Sequence, residues 1–202
     1  MKRFLLAALP FLVLAGCYPG GAEYAEELDA VYTTYDEKFD FKGKQGTYAR
    51  PDKIVVDIEI DNGDTTYVYM KDAFATPIFK AIDDNMIAKG WARVDISLNP
   101  NVVLTPAAIK STTYFYSYWY NWWYGGYWGW YYPPYYTISS YTTGSLIIAM
   151  ADPNAAAGSP INQSQAAWVG VMNGLYTGAY EVSRVTTAIN DAFAQSPYLN
   201  TK

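Results

Sequence analysis

The chain has 202 residues, of which 51% are hydrophobic, a formal net charge of −5, no histidine and one cysteine. That acidic balance argues against nucleic acid as a partner, because phosphates demand basic patches. The missing imidazole excludes Ser-His-Asp and Cys-His catalysis and histidine metal ligation. A lone cysteine also rules out a disulfide framework, so one hydrophobic core has to hold the fold, which a chain of this length can supply.

Residues 1–16 read as a secretory signal peptide: Lys2 and Arg3 form a basic start, Phe4 to Leu14 is an apolar run too short to span a bilayer, and small residues follow. The end of this segment, Leu14-Ala15-Gly16-Cys17, resembles the lipobox of bacterial lipoproteins in all four positions. The resemblance implies that Cys17 is acylated and becomes the new N-terminus. Acyl chains contribute about 0.8 kcal/mol per buried CH₂, and several of them anchor a protein stably without a transmembrane helix. Tyr18, not Asp, follows the cysteine, and in the sorting rule of enteric bacterial lipoproteins this implies the outer membrane. The expected location is therefore the bacterial cell envelope, lipid-anchored at the outer membrane and facing the periplasm, with the membrane itself as the first partner. Removing Lys2 and Arg3 with the signal leaves the mature chain at −7.

Residues 17–29 read as a lipidated N-terminus and tether, because Tyr18 to Gly21 (YPGG) forbids a packed element and Glu23, Glu26, Glu27 and Asp29 solvate it. Residues 30–202 are then expected to form a single domain. Ala30 to Asp36 is rich in β-formers and predicts a first strand. Lys53 to Asp61 alternates, with Ile54, Val56, Ile58 and Ile60 on one face; this predicts a half-buried strand. Asn62-Gly63 is a two-residue hairpin signal and Thr65 to Met70 the returning strand. Asp57, Glu59, Asp61 and Asp64 invite a calcium reading, but the glycine comes one residue late for an EF-hand loop and no glutamate closes the ligand set. A solvated strand face is the better account, and no metal or other cofactor is expected.

Thr76-Pro77 predicts a helix start, Ile78, Phe79, Ile82 and Met86 an apolar stripe, and Lys89-Gly90 a C-terminal stop. Trp91 to Leu98 alternates again and predicts another half-buried strand. Asn101 to Lys110 holds the run Val102-Val103-Leu104 and is expected to break at Pro106. Ser139 to Ala151 predicts a strand whose Leu146-Ile147-Ile148 run is buried on both faces. Gln165 to Met172 predicts the last strand, and Val182, Val185, Ile189 and Phe193 a closing helix ended by Ser196-Pro197. The expected fold class is α+β: a single domain with a mostly antiparallel or mixed β-sheet, covered on one face by two helices.

Between the last of these strands' predecessors lies the chain's one anomaly, residues 113–141, TYFYSYWYNWWYGGYWGWYYPPYYTISSY, which carries no charge and holds sixteen aromatics between Tyr114 and Tyr136. At roughly 2 kcal/mol for each large apolar side chain buried, these rings represent on the order of 30 kcal/mol of contact energy. Period-2 reading makes both faces aromatic, and Gly125-Gly126 can turn a hairpin. A protruding aromatic hairpin or loop is expected, peripheral to the core. Tyr116, Tyr118, Trp119, Tyr120, Trp122, Trp123, Trp128 and Trp130 are its candidate binding residues.

Several motifs recur in an order that is similar to the bacterial lipoproteins grouped as domain of unknown function 4136. They are Phe39-Asp40-Phe41 with Thr47-Tyr48, the helix ending Lys89-Gly90-Trp91, Asn99-Pro100 before Val102-Val103-Leu104, Thr143-Gly144-Ser145-Leu146-Ile147-Ile148, Trp168 in Ala167-Trp168-Val169-Gly170, and the final helix before Ser196-Pro197. An aromatic and glycine-rich insertion before the Gly-Ser-Leu strand is common there, so the resemblance includes the anomaly. Asn101 stands where many members carry Asp. The resemblance implies no catalytic residues. Paired carboxylates can run glycosidase chemistry, but the acidic residues here fall on strand faces, turns and the tether. The sequence therefore predicts a non-catalytic, lipid-anchored envelope protein, a binding or structural module whose aromatic surface meets lipid, an envelope protein or a glycan. The alternative is a carbohydrate or peptidoglycan binder, since aromatic rings stack on sugar faces, although the stretch offers only Asn121 as an amide or charged partner for sugar hydroxyls.

Overall fold

The computed structural model describes residues 30–43, 46–61, 64–109, 144–153, 166–175 and 181–201. Eight strands form one mixed sheet: β1 (Ala30–Tyr35), β2 (Thr47–Ala49), β3 (Val55–Asp61), β4 (Asp64–Tyr69), β5 (Ala92–Arg93), β6 (Val102–Ile109), β7 (Ser145–Ala151) and β8 (Trp168–Asn173). Helices α1 (Asp72–Ala88) and α2 (Val182–Ala194) complete the described domain. The strand order is β1-β8-β7-β6-β2-β5, with β3 joining β6 beyond the end of β2 and carrying β4. Pairing is antiparallel for β1–β8, β8–β7, β7–β6 and β3–β4, and parallel for β2 with β5 and β6 and for β3 with β6. This is the α+β domain that the sequence predicts, with both helices packed on one face of the sheet.

The helix-facing core follows from side-chain period. On α1, Ile78, Phe79, Ile82 and Met86 are all buried, and on α2 so are Val185, Ile189 and Phe193, whereas Val182, expected in the same stripe, is the first residue of the helix and is exposed. They meet Val102, Leu104, Leu146, Ile148, Met150, Trp168 and Met172 from alternate positions of β6, β7 and β8. The intervening positions, Val103, Thr105, Ala107, Ile147, Ala149, Val169 and Val171, are buried as well. The central strands thus have no solvated face, which is why Leu146-Ile147-Ile148 is continuously apolar. Helix α1 ends as expected at Gly90 (φ +91°): the Trp91 N–H bonds the Met86 carbonyl at 2.9 Å and the Gly90 N–H that of Ile87 at 3.0 Å. This is a Schellman stop, with Trp91 and Met86 both buried in the same core cluster.

Four expectations are corrected. Helix α1 begins at Asp72, not at Thr76-Pro77, and Pro77 lies inside it. Lys71 accepts from the Phe74 and Ala75 N–H groups, Ala75 is buried, and Asp72 places a carboxylate at the positive end of the helix dipole, which together offset the one bond a proline removes. The strand predicted over 91–98 shrinks to Ala92–Arg93, because the Asp95 carboxylate takes the Ser97 N–H at 2.9 Å and turns the chain into a short 3₁₀ segment, leaving Leu98 exposed. Strand β6 runs straight through Pro106, opposite Ile148, since β7 holds it along its length and proline's φ suits extended chain. The alternation from Ile54 is interrupted: the β3–β4 register shifts between Val55 and Asp57, so Ile54 and Val55 are both buried. Past that shift, Asp61 faces Asp64 in the pairing, the register that a two-residue Asn-Gly connection demands. Short β2, over Thr47–Ala49, carries too few residues for a periodic signal and was absent from the predicted strands.

Candidate functional site

Cys17 and the aromatic candidates Tyr116, Tyr118, Trp119, Tyr120, Trp122, Trp123, Trp128 and Trp130 lie outside the described residues, as does the expected protruding hairpin. Their mountings are described. The aromatic stretch connects the two central strands, whose last pair is Ile109 with Ser145. The Ser145 hydroxyl donates to Asn173 Oδ1 at 2.7 Å, tying that end of β7 to β8. The first described residue, Ala30, opens β1 at the edge of the sheet.

Polar chemistry among the described residues gathers where β2, β5 and α1 meet. Arg50, immediately after β2, forks onto Asp83 of α1, with Nε to Oδ1 at 2.9 Å and Nη2 to Oδ2 at 2.7 Å, while its guanidinium lies 3.9 Å over the Phe79 ring. Tyr48 donates its hydroxyl to the same Oδ1 at 2.7 Å. Arg93 approaches Asp83 at 3.5 Å and reaches Asp52 at 3.2 Å. Burial by itself would raise the Asp83 carboxyl, but the bonds from Arg50 and Tyr48 and the two guanidinium charges outweigh it and hold the group below its ordinary range. Burial, then the bond to Asp83, push the Tyr48 hydroxyl far up. Neither group sits near neutral pH, where a general acid or base has to work. Arg50 and Tyr48 both donate to Asp83, and the remaining Arg50 arm donates to the Pro51 carbonyl at 3.1 Å, so the cluster is a joint between sheet and helix. Sequence reading missed Arg50, Asp83 and Arg93, because a carboxylate and a guanidinium 33 residues apart carry no local signal.

Two more joints explain motif residues. The Asn101 Oδ1 accepts from the Thr47 N–H at 3.2 Å and from its hydroxyl at 2.8 Å, while the Asn101 N–H donates to Thr47 Oγ1 at 3.1 Å, locking β2 beside β6. Trp168 donates its indole N–H to Ser196 Oγ at 2.8 Å, and Trp91 donates to the Leu199 carbonyl at 2.7 Å. Both buried indoles therefore fasten the chain that follows α2.

Beside the β1 edge, Tyr35 stacks on Tyr198 with ring centroids 3.7 Å apart, and Phe41 lies 5.8 Å from the same tyrosine. Farther along β1 a groove of about 400 Å³ opens between Val31 and α2, lined by Glu181, Arg184, Thr187, Ala188 and Asp191. Among the described residues no group of three or more acidic or cysteine side chains is placed to hold a metal ion. No helix of the described chain is long and apolar enough to cross a membrane.

A model of a domain of unknown function, DUF4136, matches residues 31–198. The chain belongs to the DUF4136 family. The crystal structure of a DUF4136 family protein from Bacteroides thetaiotaomicron is similar at 32% identity and a TM-score of 0.63, over 86% of this chain and 98% of that one. A PelC dodecamer from Paraburkholderia phytofirmans matches at 13% identity and a TM-score of 0.43, over 86% of this chain and 99% of the other. No curated protein matches the chain. In this DUF4136 domain the residues that carried the resemblance are joints of the fold. Thr47 clamps Asn101, Tyr48 reaches α1, Gly90 stops α1, and Trp168 and Ser196 bind each other.

Proposed function

We propose that this DUF4136 protein is a non-catalytic, lipid-anchored component of the bacterial cell envelope, held at the outer membrane through Cys17 and using residues 113–141 as a contact surface. The observation that carries the reading is the pairing of a lipobox-like Leu14-Ala15-Gly16-Cys17 with an uncharged stretch of sixteen aromatics. A lipid anchor confines the domain to a surface. Tyrosine and tryptophan favour the interface between headgroups and water, where one end of the ring is apolar and the other wet. Support also comes from the polar cluster around Asp83, whose charged groups are committed to one another and leave no poised acid–base pair there. A surface of this kind takes lipid headgroups, an apolar protein face or the flat face of a sugar ring.

Co-purification from membranes, with and without residues 114–136, tests the reading. Loss of a specific envelope partner or of lipid contact in the shortened chain is the expected result. Retention on isolated peptidoglycan or capsule polysaccharide that disappears with the stretch would transfer the contact to glycan, and identical behaviour of both chains would refute a contact role.

A further inference from the structure

The β1 strand is an edge whose outer side no described strand pairs. The Asp36 N–H donates to the Ala167 carbonyl at 3.1 Å in the same register that sets Tyr35 opposite Trp168 and Thr34 opposite Val169. In an antiparallel ladder, hydrogen-bonded and non-bonded pairs alternate. Asp36, Thr34, Tyr32 and Ala30 therefore turn their backbone groups toward β8, and Val31, Thr33 and Tyr35 turn theirs outward. Edges that stay unpaired are normally blunted by lysine, proline, an inward charge or a bulge. This edge, Ala30-Val31-Tyr32-Thr33-Thr34-Tyr35, has none of these, its register with β8 is unbroken, and Tyr32 and Tyr35 are 57% and 40% exposed.

We propose that the open edge of β1 joins a second copy of this chain, β1 against β1 and antiparallel about Thr33, so that two eight-stranded sheets become one. The strand is complementary to itself in that register. Thr33 pairs with the partner's Thr33 and Val31 with the partner's Tyr35, and these three outward residues exchange N–H and carbonyl groups. Tyr32 meets the partner's Thr34 in the closer, non-bonded pairs. Threonine with threonine and aromatic with β-branched residues are favoured cross-strand neighbours. The two-fold axis lies perpendicular to the sheet, so both pairs of helices share one side. Val31, which lines the groove beside α2, then lies directly opposite the partner's Tyr35, whose ring keeps its stacking on Tyr198 of its own chain. The chain's own residues 18–29 are a poorer occupant: Glu23, Glu26, Glu27 and Asp29 would meet Glu181 and Asp191 of the groove, with Arg184 as the one cation among the described residues that line it. Pairing of two copies repeats one uncharged strand and sets no like charges opposite each other.

The test uses residues 18–202, which lack Cys17. Sedimentation equilibrium should give twice the chain mass, and Thr33→Pro and Thr33→Lys should each give the monomer mass. The Thr33 N–H points away from β8, so the proline breaks no bond within the sheet; unchanged thermal melting confirms that each variant is folded. Register is tested separately. A disulfide should form when Tyr32→Cys and Thr34→Cys chains are mixed, and form far more slowly in either chain alone. A wild-type monomer at every concentration, a dimer that survives Thr33→Lys, or cross-linking of Tyr32→Cys alone as fast as in the mixture would each overturn the proposal.

Discussion

Replacing Asp83 with alanine strikes the joint between sheet and α1 at its centre. The Arg50 side chain is 7% exposed and the Asp83 side chain 20%. Without the carboxylate, the guanidinium over Phe79 loses both arms of its fork, and the hydroxyl of fully buried Tyr48 loses its acceptor. Deleting one member of a buried ion pair costs about 3–5 kcal/mol because the other charge stays buried and uncompensated. The partial exposure of Asp83 puts the expectation near the lower end, about 3 kcal/mol, or a fall in Tm of roughly 6–12 °C for a domain of this size. Urea and thermal unfolding of residues 18–202 would measure it. Arg50→Met combined with Asp83→Ala should cost clearly less than the two single changes added together, since the double variant leaves no orphan charge. The carboxyl of Asp83 has its folded pKa below the unfolded one, so its contribution is present above the unfolded value near pH 4 and is lost as pH falls further. Asp83→Ala should therefore flatten the acid limb of the stability curve. A loss below about 0.5 kcal/mol, typical of an exposed pair, would refute this account of the joint.

Three further expectations follow from the same geometry. Tyr48 has a raised folded pKa, so stability present below the unfolded value near pH 10 is lost as pH rises beyond it; Tyr48→Phe should remove that alkaline fall while costing about 2 kcal/mol at neutral pH through the lost bond to a charged acceptor, both read from unfolding curves. Gly46 sits at φ +73°, and a Cβ there would come within 3.0 Å of the Gly90 carbonyl, so Gly46→Ala should destabilise by about 2 kcal/mol from left-handed strain and crowding. Replacing residues 114–136 by a short Gly-Ser linker should leave a folded domain with cooperative melting, if the stretch is peripheral; loss of folding would instead make it the cover of the buried second sheet face at Val103, Ile147, Ala149 and Val171.

The sequence made the fold legible wherever an element was long enough to show a period. Ile78, Phe79, Ile82 and Met86 placed the buried stripe of α1, Val185, Ile189 and Phe193 that of α2, where only Val182 at the helix start stays exposed, and the Leu146 to Ile148 run the centre of the sheet. Boundaries failed where a local bond competes with the pattern, as Asp95 does by capturing the Ser97 N–H, or where neighbours override a breaker, as β7 does for Pro106. The Asp83 joint was invisible for a different reason: its members come from β2, β5 and α1 and meet only after folding. The ordered motifs that resemble DUF4136 did point to those places, since Thr47-Tyr48, Lys89-Gly90-Trp91 and Trp168 are where strands, helix ends and the C-terminal segment are tied together. Cys17 and residues 113–141 stand out in the sequence by a lipobox-like pattern and by an absence of charge, and lie outside the described residues.

The central claim is that this domain is tethered to a bacterial membrane by lipid on Cys17, and intact-mass spectrometry of the protein isolated from its own membranes tests it most directly. The account predicts a chain that begins at Cys17, is heavier than residues 17–202 by the mass of its acyl groups, and partitions into detergent, with Cys17→Ser abolishing both the added mass and the partitioning. A mature protein that retains residues 1–16, or begins at another residue with an unmodified Cys17 thiol, would contradict it.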